Sequence, residues 1–278
     1  MKRMISYLAA TLALSQMVLA DDRVLSLDYC ADQFVLGLGD ESQIIGVSNE
    51  ARDDHSFYRD RAENIPRYRA TADIILTLKP SLVVRSWAGD QRLLTLLEKL
   101  NIPVVTITYA EGRGGTAENI ARVAAAIGQD ARADAMIADI NARRTALEAM
   151  PSYNTQATYL TPGAYTSGSG TFVDKVMALA GLGNAFADAG FTGWVPIPME
   201  HMVKSPPSLI VTSFYDSHSA VQNHWGIARH NYVRGLIKAT PGIDVPGSMM
   251  SCSGLFMVDA AEHLRREMDT IIKENTGE

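Results

Sequence analysis

Short runs rich in β-branched residues alternate with helical segments along this chain, and this alternation constrains its fold most strongly. From Arg23 onward, helical segments separate the runs RVLSL, QIIGVS, LVVRS and IPVVTI. The alternation resumes further along with QATYL and LIVTS. It predicts parallel strands joined by crossover helices. Between the two regions, residues 132–150 keep a helical spacing with no Gly or Pro before Pro151, which predicts a long helix.

The predicted fold is therefore α/β, with two open lobes of mostly parallel strands joined by a long rigid helix. We expect the N-terminal lobe over residues 21–128, the connecting helix over 129–151 and the C-terminal lobe over 152–278. A chain of 278 residues with 47% hydrophobic composition is large enough for two such cores.

The first 20 residues have the pattern of a cleaved signal peptide. Lys2 and Arg3 precede an apolar run that ends with Val18 and Ala20. We expect an exported, periplasmic protein; an uncleaved leader that tethers the chain to the membrane is the alternative. Cleavage would lower the 25 basic side chains to 23, against 31 acidic ones. This negative balance argues against a nucleic-acid partner.

The two cysteines, Cys30 and Cys252, are candidates for a disulfide. An oxidising compartment favours the bridge, and the loop-entropy model assigns it about 5 kcal/mol. Two unbridged thiols are the alternative, because a disulfide needs Cα atoms within about 7 Å.

One sequence motif occurs twice, as PSLVVRS at residues 80–86 and as PSLIVTS at residues 207–213. An acid stands seven positions before each proline, Asp73 in the first copy and Glu200 in the second. Each copy predicts a short helix with the acid in its first turn, then a proline that ends the helix, then a buried strand. In the first copy, Thr71 is placed to cap the helix. We interpret the lobes as diverged copies of one ancestral unit. The alternative is chance recurrence of a helix–proline–strand motif that is common in α/β proteins.

Four segments in this order resemble the class III periplasmic substrate-binding proteins, which deliver ferric siderophores, haem and cobalamin to ABC importers. They are RVLSLDYCADQFVLGLGDESQIIGVS, DIILTLKPSLVV, TSGSGTFVDKVMALAGLGNAFAD and WVPIPMEHMVKSPPSLIV. The resemblance implies a ligand held between the lobes and a permease dimer in the inner membrane as partner. It also implies that Asp73 and Glu200 dock on that two-fold partner. The alternative is that both acids only complement helix N-termini, worth about 0.3–1 kcal/mol each.

Ligand-binding candidates lie in the loops that follow the predicted strands, where pockets of such folds form. Aromatic faces suit a large planar or chelated ligand, and Arg85 suits a carboxylate. The candidates are Tyr29, Arg85, Trp87 and Tyr109 in the first lobe, and Tyr165, Trp194, Tyr215, Trp225 and Arg229 in the second.

The predicted function is therefore a monomeric binding protein without catalysis, cofactor or metal site of its own. A ferric siderophore is the first expected ligand, with cobalamin or haem next. One alternative is a receptor for bare zinc or manganese, for which the first lobe offers only His55. The other is a secreted hydrolase, although the chain contains neither a G-x-S-x-G nor an H-E-x-x-H motif.

Overall fold

A computed structural model describes residues 23–87, 90–109, 113–214, 231–252 and 254–276, with the side chains of residues 113 and 114 left out. Its first sheet has five parallel strands in the order β3-β2-β1-β4-β5. These strands are β1 (Val24–Ser26), β2 (Ile44–Ser48), β3 (Arg67–Tyr68), β4 (Leu82–Ser86) and β5 (Val104–Ile107).

The second sheet has four parallel strands in the order β11-β10-β6-β8, and a two-stranded antiparallel sheet, β7-β9, accompanies it. The four are β6 (Gln156–Leu160), β8 (Gly183–Asn184), β10 (Leu209–Thr212) and β11 (Gly242–Asp244). The antiparallel pair is β7 (Tyr165–Ser167) and β9 (Trp194–Pro196).

Helices flank both sheets and connect the lobes. Those of the first lobe are α1 (Tyr29–Leu38), α2 (Ala72–Leu78), α3 (Gln91–Lys99) and α4 (Arg113–Ala126). The connector is α5 (Asp130–Glu148). The remaining helices are α6 (Phe172–Leu179), α7 (Ala185–Asp188), α8 (Met199–Lys204), α9 (Asn231–Ala239), α10 (Gly247–Met250) and α11 (Met257–Thr276). Across the described residues, none of the helices combines the length and the apolar character that a bilayer span requires.

The long helix α5 spans both lobes, and its side chains show how. Ala133, near its start, belongs to the core of the first lobe, whereas Leu147, near its end, belongs to the core of the second. Ile140, midway, packs against both cores. With 19 residues at 1.5 Å each, α5 is about 28 Å long. A helix packed into a core at each end joins the lobes stiffly.

The terminal helix α11 reinforces this connection. The Arg143 guanidinium on α5 forms ion pairs with Asp259 at 2.9 Å and Glu262 at 2.7 Å, both on α11. Val258, Ala261 and Leu264 of the same helix are buried in the core of the second lobe. The ion pairs therefore hold α11 to the connector α5, and apolar packing holds it to the second lobe.

The repeated unit, residues 73–86 and 200–213, folds in both lobes as a short helix followed by a buried strand. These elements are α2 and β4 in the first lobe and α8 and β10 in the second. One detail differs from the expectation: Thr71 occupies the N-cap position of α2, but its side chain makes no capping hydrogen bond. Lys79, in the left-handed conformation with φ of 47°, ends α2 one residue before Pro80.

Candidate ligand site at the lobe junction

Both sheets have a topological switch point, and these points define the candidate site. In the first sheet the chain builds outward from β1 to β2 and β3, then returns to add β4 and β5 on the other side. In the second it builds from β6 to β8 and then adds β10 and β11 on the other side. Ligands of open α/β sheets bind outside the carboxyl ends of the strands at such points. The relevant ends are therefore those of β1 and β4, and those of β6 and β10.

Two exposed aromatic rings meet at the carboxyl ends of β4 and β5. Trp87 follows β4 and is 60% exposed, and Tyr109 follows β5 and is also exposed. Their ring centroids are 6.4 Å apart in an edge-on arrangement. The contact arises because Ser86 and Ile107 are partners in the parallel ladder, so the residues beyond them emerge side by side. The sequence prediction placed both residues in candidate loops, and the structure brings them together.

A second exposed aromatic pair lies on the β7-β9 sheet of the other lobe. Tyr165 is paired with Pro196, and Trp194 with Ser167. Since side chains alternate along a strand, Tyr165 and Trp194 are diagonal neighbours on one face. The Trp194 ring also contacts Tyr159 at 6.0 Å, and the Tyr159 hydroxyl hydrogen bonds to Ser213 beyond the end of β10. The second pair thus adjoins the β6-β10 switch point.

Arg85 is placed differently from the expectation. It is the fourth residue of β4 rather than part of the following loop, and it is only 3% exposed. Its guanidinium donates hydrogen bonds to the carbonyl oxygens of Ser86 at 3.1 Å and Asp90 at 3.4 Å. Arg85 therefore supports the turn that carries Trp87 instead of presenting its charge at the surface.

Tyr29 lies where the two lobes touch. It begins α1, just beyond β1, and its ring meets that of His55 edge-on at 4.9 Å. Burial raises the pKa of the Tyr29 hydroxyl, while hydrogen bonds with Ser251 and the Cys252 backbone act to lower it. Ser251 in turn donates to the His55 carbonyl oxygen at 3.2 Å. Tyr29 thus packs in the junction that the second lobe makes with the first.

Cys30 and Cys252 form a disulfide across this junction, with their Cα atoms 5.2 Å apart. Cys30 follows β1 and Cys252 follows β11, so the bond joins the carboxyl-end sides of the two sheets. Nearby, the rings of Phe57 and Phe256 stack with centroids 4.0 Å apart. The strand ends that carry the aromatic pairs therefore share one side of the molecule with this junction.

The other predicted residues divide into two groups. Asp73 and Glu200 are exposed, each in the first turn of its helix. Tyr215, Trp225 and Arg229 lie outside the described residues. Within the described ranges, His, Cys, Asp and Glu side chains do not gather in a group of three or more that could hold a metal ion.

A buried carboxyl group near the junction was not among the predicted residues. Asp32 on α1 is fully buried, and its oxygens accept hydrogen bonds from the Ser48 backbone at 3.0 Å and the Ser48 hydroxyl at 2.5 Å. Burial raises the pKa of Asp32 to about 6, although the hydrogen bonds from Ser26 and Ser48 lower it. Helical periodicity alone places Asp32 on α1 but gives no sign that its face is covered.

This raised pKa predicts a pH dependence of stability. The folded chain holds the Asp32 proton more tightly than the unfolded chain does, so the free energy of unfolding falls as pH rises from about 4 to about 6. A tenfold change in proton affinity is worth about 1.4 kcal/mol, so we expect Asp32 to account for about 3 kcal/mol. Urea unfolding at pH 4, 5, 6 and 7 measures this slope. Asp32→Asn should flatten it; equal slopes in parent and variant would refute the assignment.

A cavity of about 440 Å³ opens elsewhere, between α4, α5, α6 and α11. Its walls are mainly apolar, including Ile120, Ile137 and Leu179, with Arg144 and Lys175 also in the lining. None of its lining residues follows a strand end at a switch point. We therefore place the candidate ligand site at the aromatic pairs rather than in this cavity.

Comparison with known proteins identifies the family. The sequence profile described as "Periplasmic binding protein" matches residues 24–227, most of the chain. The chain belongs to this family. The family assignment made from the sequence is thus confirmed, and the chain is a substrate-binding protein of the kind that works with a membrane permease.

Individual relatives agree with this family. An uncharacterised ABC transporter substrate-binding lipoprotein, YvrC of Bacillus subtilis, is 24% identical over 242 residues, covering 83% of this chain and 74% of the relative. A cobalamin-binding protein of Halobacterium salinarum is 26% identical over 197 residues, covering 69% of this chain but 53% of the relative.

A solved structure shows the same fold. The periplasmic haem-binding protein HutB of Vibrio cholerae superposes with a TM-score of 0.73 at 21% identity, covering 90% of this chain and 99% of HutB. The predicted fold class, two α/β lobes with mostly parallel sheets, is confirmed.

Proposed function

We propose that this periplasmic binding protein captures a metal chelate between its lobes and delivers it to an ABC permease dimer in the inner membrane. It acts as an exported monomer without catalytic activity or a cofactor of its own. The observation that carries the proposal is the pair of exposed aromatic surfaces, Trp87 with Tyr109 on one lobe and Tyr165 with Trp194 on the other. Large exposed aromatic side chains mark ligand or protein contacts.

A metal tetrapyrrole is the ligand class that these surfaces support best. Two aromatic surfaces beside the switch points can cover both faces of a flat macrocycle and exclude water from it. The sequence analysis expected a ferric siderophore first. Proteins named for haem and cobalamin binding, to which this chain is similar, support a macrocycle instead. A receptor for a bare zinc or manganese ion would use His and carboxylate ligands rather than aromatic faces.

Delivery would use the two exposed acids of the repeated unit. Asp73 and Glu200 stand at matching places on α2 and α8. Within the described part of the chain, neither carboxylate forms an ion pair with a neighbouring side chain. A two-fold permease offers the same basic surface twice, so an acid at the equivalent position of each lobe is complementary to it.

Charge reversal tests delivery separately from ligand capture. Asp73→Lys and Glu200→Lys should each weaken binding to the cognate permease–ATPase complex in nanodiscs about tenfold, since complementary charges are replaced by like charges. The measurement is surface-plasmon titration of the protein after incubation with haem or cyanocobalamin. Affinity for either chelate should be unchanged in both variants.

Glu274→Lys, which reverses an exposed acid on α11, is the matched control and should behave as the parent. Parent-like permease binding by both Asp73→Lys and Glu200→Lys would contradict docking through these acids.

A further inference from the structure

The repeated unit shows which positions the two lobes keep alike. The fourteen residues 73–86 align with 200–213 without a gap. Ile75 and Met202, at the same place in the repeat, are both buried under their helices. The strands that follow, Leu82–Ser86 and Leu209–Thr212, are buried along most of their length. Core packing explains why these positions are apolar in both copies.

Core packing does not explain one matched pair. Leu76 is 51% exposed and Val203 is 57% exposed, and both stand three residues after the acid of their copy. Single exposed aliphatic residues are ordinary on protein surfaces. Here, however, an exposed aliphatic side chain recurs at the same position of two copies that share four buried positions, Ile75 with Met202 and the first three residues of each strand.

The helical spacing places each aliphatic residue beside its acid. Residues three apart on a helix are surface neighbours, so Asp73 with Leu76, and Glu200 with Val203, each form one small mixed patch. On α8 the patch continues into an open recess of about 500 Å³, lined by Met199, Glu200, Val203, Lys204 and Tyr232. The Tyr232 hydroxyl donates to the Met202 carbonyl oxygen at 3.1 Å, which fixes one wall of this recess.

We propose that Leu76 and Val203 are the apolar half of the permease-docking surface, and that each fills an apolar site beside a basic group on one half of the permease dimer. This inference rests on the proposed function. Exposed ion pairs contribute little affinity by themselves, whereas burial of apolar surface contributes substantially. The acids accordingly steer the encounter and set its orientation, and the aliphatic pair slows dissociation.

Substitutions at the aliphatic pair test this division of roles. Leu76→Ser and Val203→Ser should each weaken binding to the cognate permease–ATPase complex about tenfold, mainly through faster dissociation, and the double variant about a hundredfold. Leu76→Met and Val203→Ile keep an apolar surface and should bind as the parent does. Ile272→Ser, at an exposed aliphatic residue of α11, is the matched control. The probe is the full chain after incubation with haem or cyanocobalamin, with thermal unfolding confirming that each variant is folded.

The outcomes separate this inference from the proposed function. If charge reversal at Asp73 and Glu200 weakens binding while both serine variants dissociate like the parent, the apolar role is overturned and the docking function stands. If the parent itself does not bind the permease complex, the proposed function fails and the inference fails with it. The inference is supported if both serine variants of the aliphatic pair weaken permease binding. Leu76→Met, Val203→Ile and Ile272→Ser should then leave this binding unchanged.

Discussion

Replacing Cys30 and Cys252 together with serine is expected to lower the free energy of unfolding by about 5 kcal/mol. The disulfide closes a loop with a sequence separation of 222 residues, and the loss of unfolded-chain entropy grows with the logarithm of loop length. For a chain of this size, a change of 1 kcal/mol shifts Tm by about 2–4 °C, so the fall in Tm should be about 10–20 °C.

Guanidinium unfolding of the oxidised parent and of the double variant measures this difference. The parent pretreated with a reducing agent in denaturant is the control, and it should unfold at the midpoint of the variant. A difference below about 1 kcal/mol would show that the bond does not constrain the unfolded chain as the loop-entropy model requires.

The disulfide also bears on how the lobes move. α5 is one covalent crossing between the lobes, and the Cys30–Cys252 bond is a second, supported by the Phe57–Phe256 stack. Because the lobes are joined at two separate places, rotation of one lobe relative to the other about either connection is restricted. Ligand capture should accordingly involve small adjustments at the aromatic surfaces rather than wide closure.

The sequence predicted the long and strongly patterned elements well. Periodicity located α5, and the runs LVVRS and LIVTS became β4 and β10. Short elements were not predicted: β8 has two residues, and β7 and β9 have three each, so too few residues remain for an alternating pattern. Yet β7 and β9 contain Tyr165 and Trp194, which the sequence analysis named as candidates but placed in loops rather than on strands.

Burial of charged side chains is the second reason why the structure differs from what the sequence suggests. Arg85 follows three apolar residues of a strand, and the sequence suggested a loop charge available to a ligand. In the structure its guanidinium is enclosed by backbone carbonyls of its own turn. Asp32 on α1 was not considered in the sequence analysis, and in the structure the neighbouring strand β2 brings Ser48 over its buried carboxyl group. Ser48 is 16 residues from Asp32, whereas the partners of Arg85 are one and five residues away. In both cases only the tertiary structure reveals that the charged group is buried.

The Trp87→Ala/Trp194→Ala double variant is expected to lose about 300-fold in affinity for the chelate. Burying one large aromatic side chain against a ligand contributes about 1.5–3 kcal/mol, and the two residues act from different lobes. Each single variant should lose about tenfold or more. Met150→Ala, at an exposed apolar residue beyond the end of α5, should bind as the parent does.

The decisive measurement is therefore calorimetric titration of the parent and this double variant with haem, cyanocobalamin and a ferric siderophore. We predict saturable one-to-one binding of at least one metal chelate by the parent, and the 300-fold loss for that chelate in the double variant. Equal affinities in the two proteins, or a parent that binds zinc or manganese ions but none of the three chelates, would contradict the proposed site.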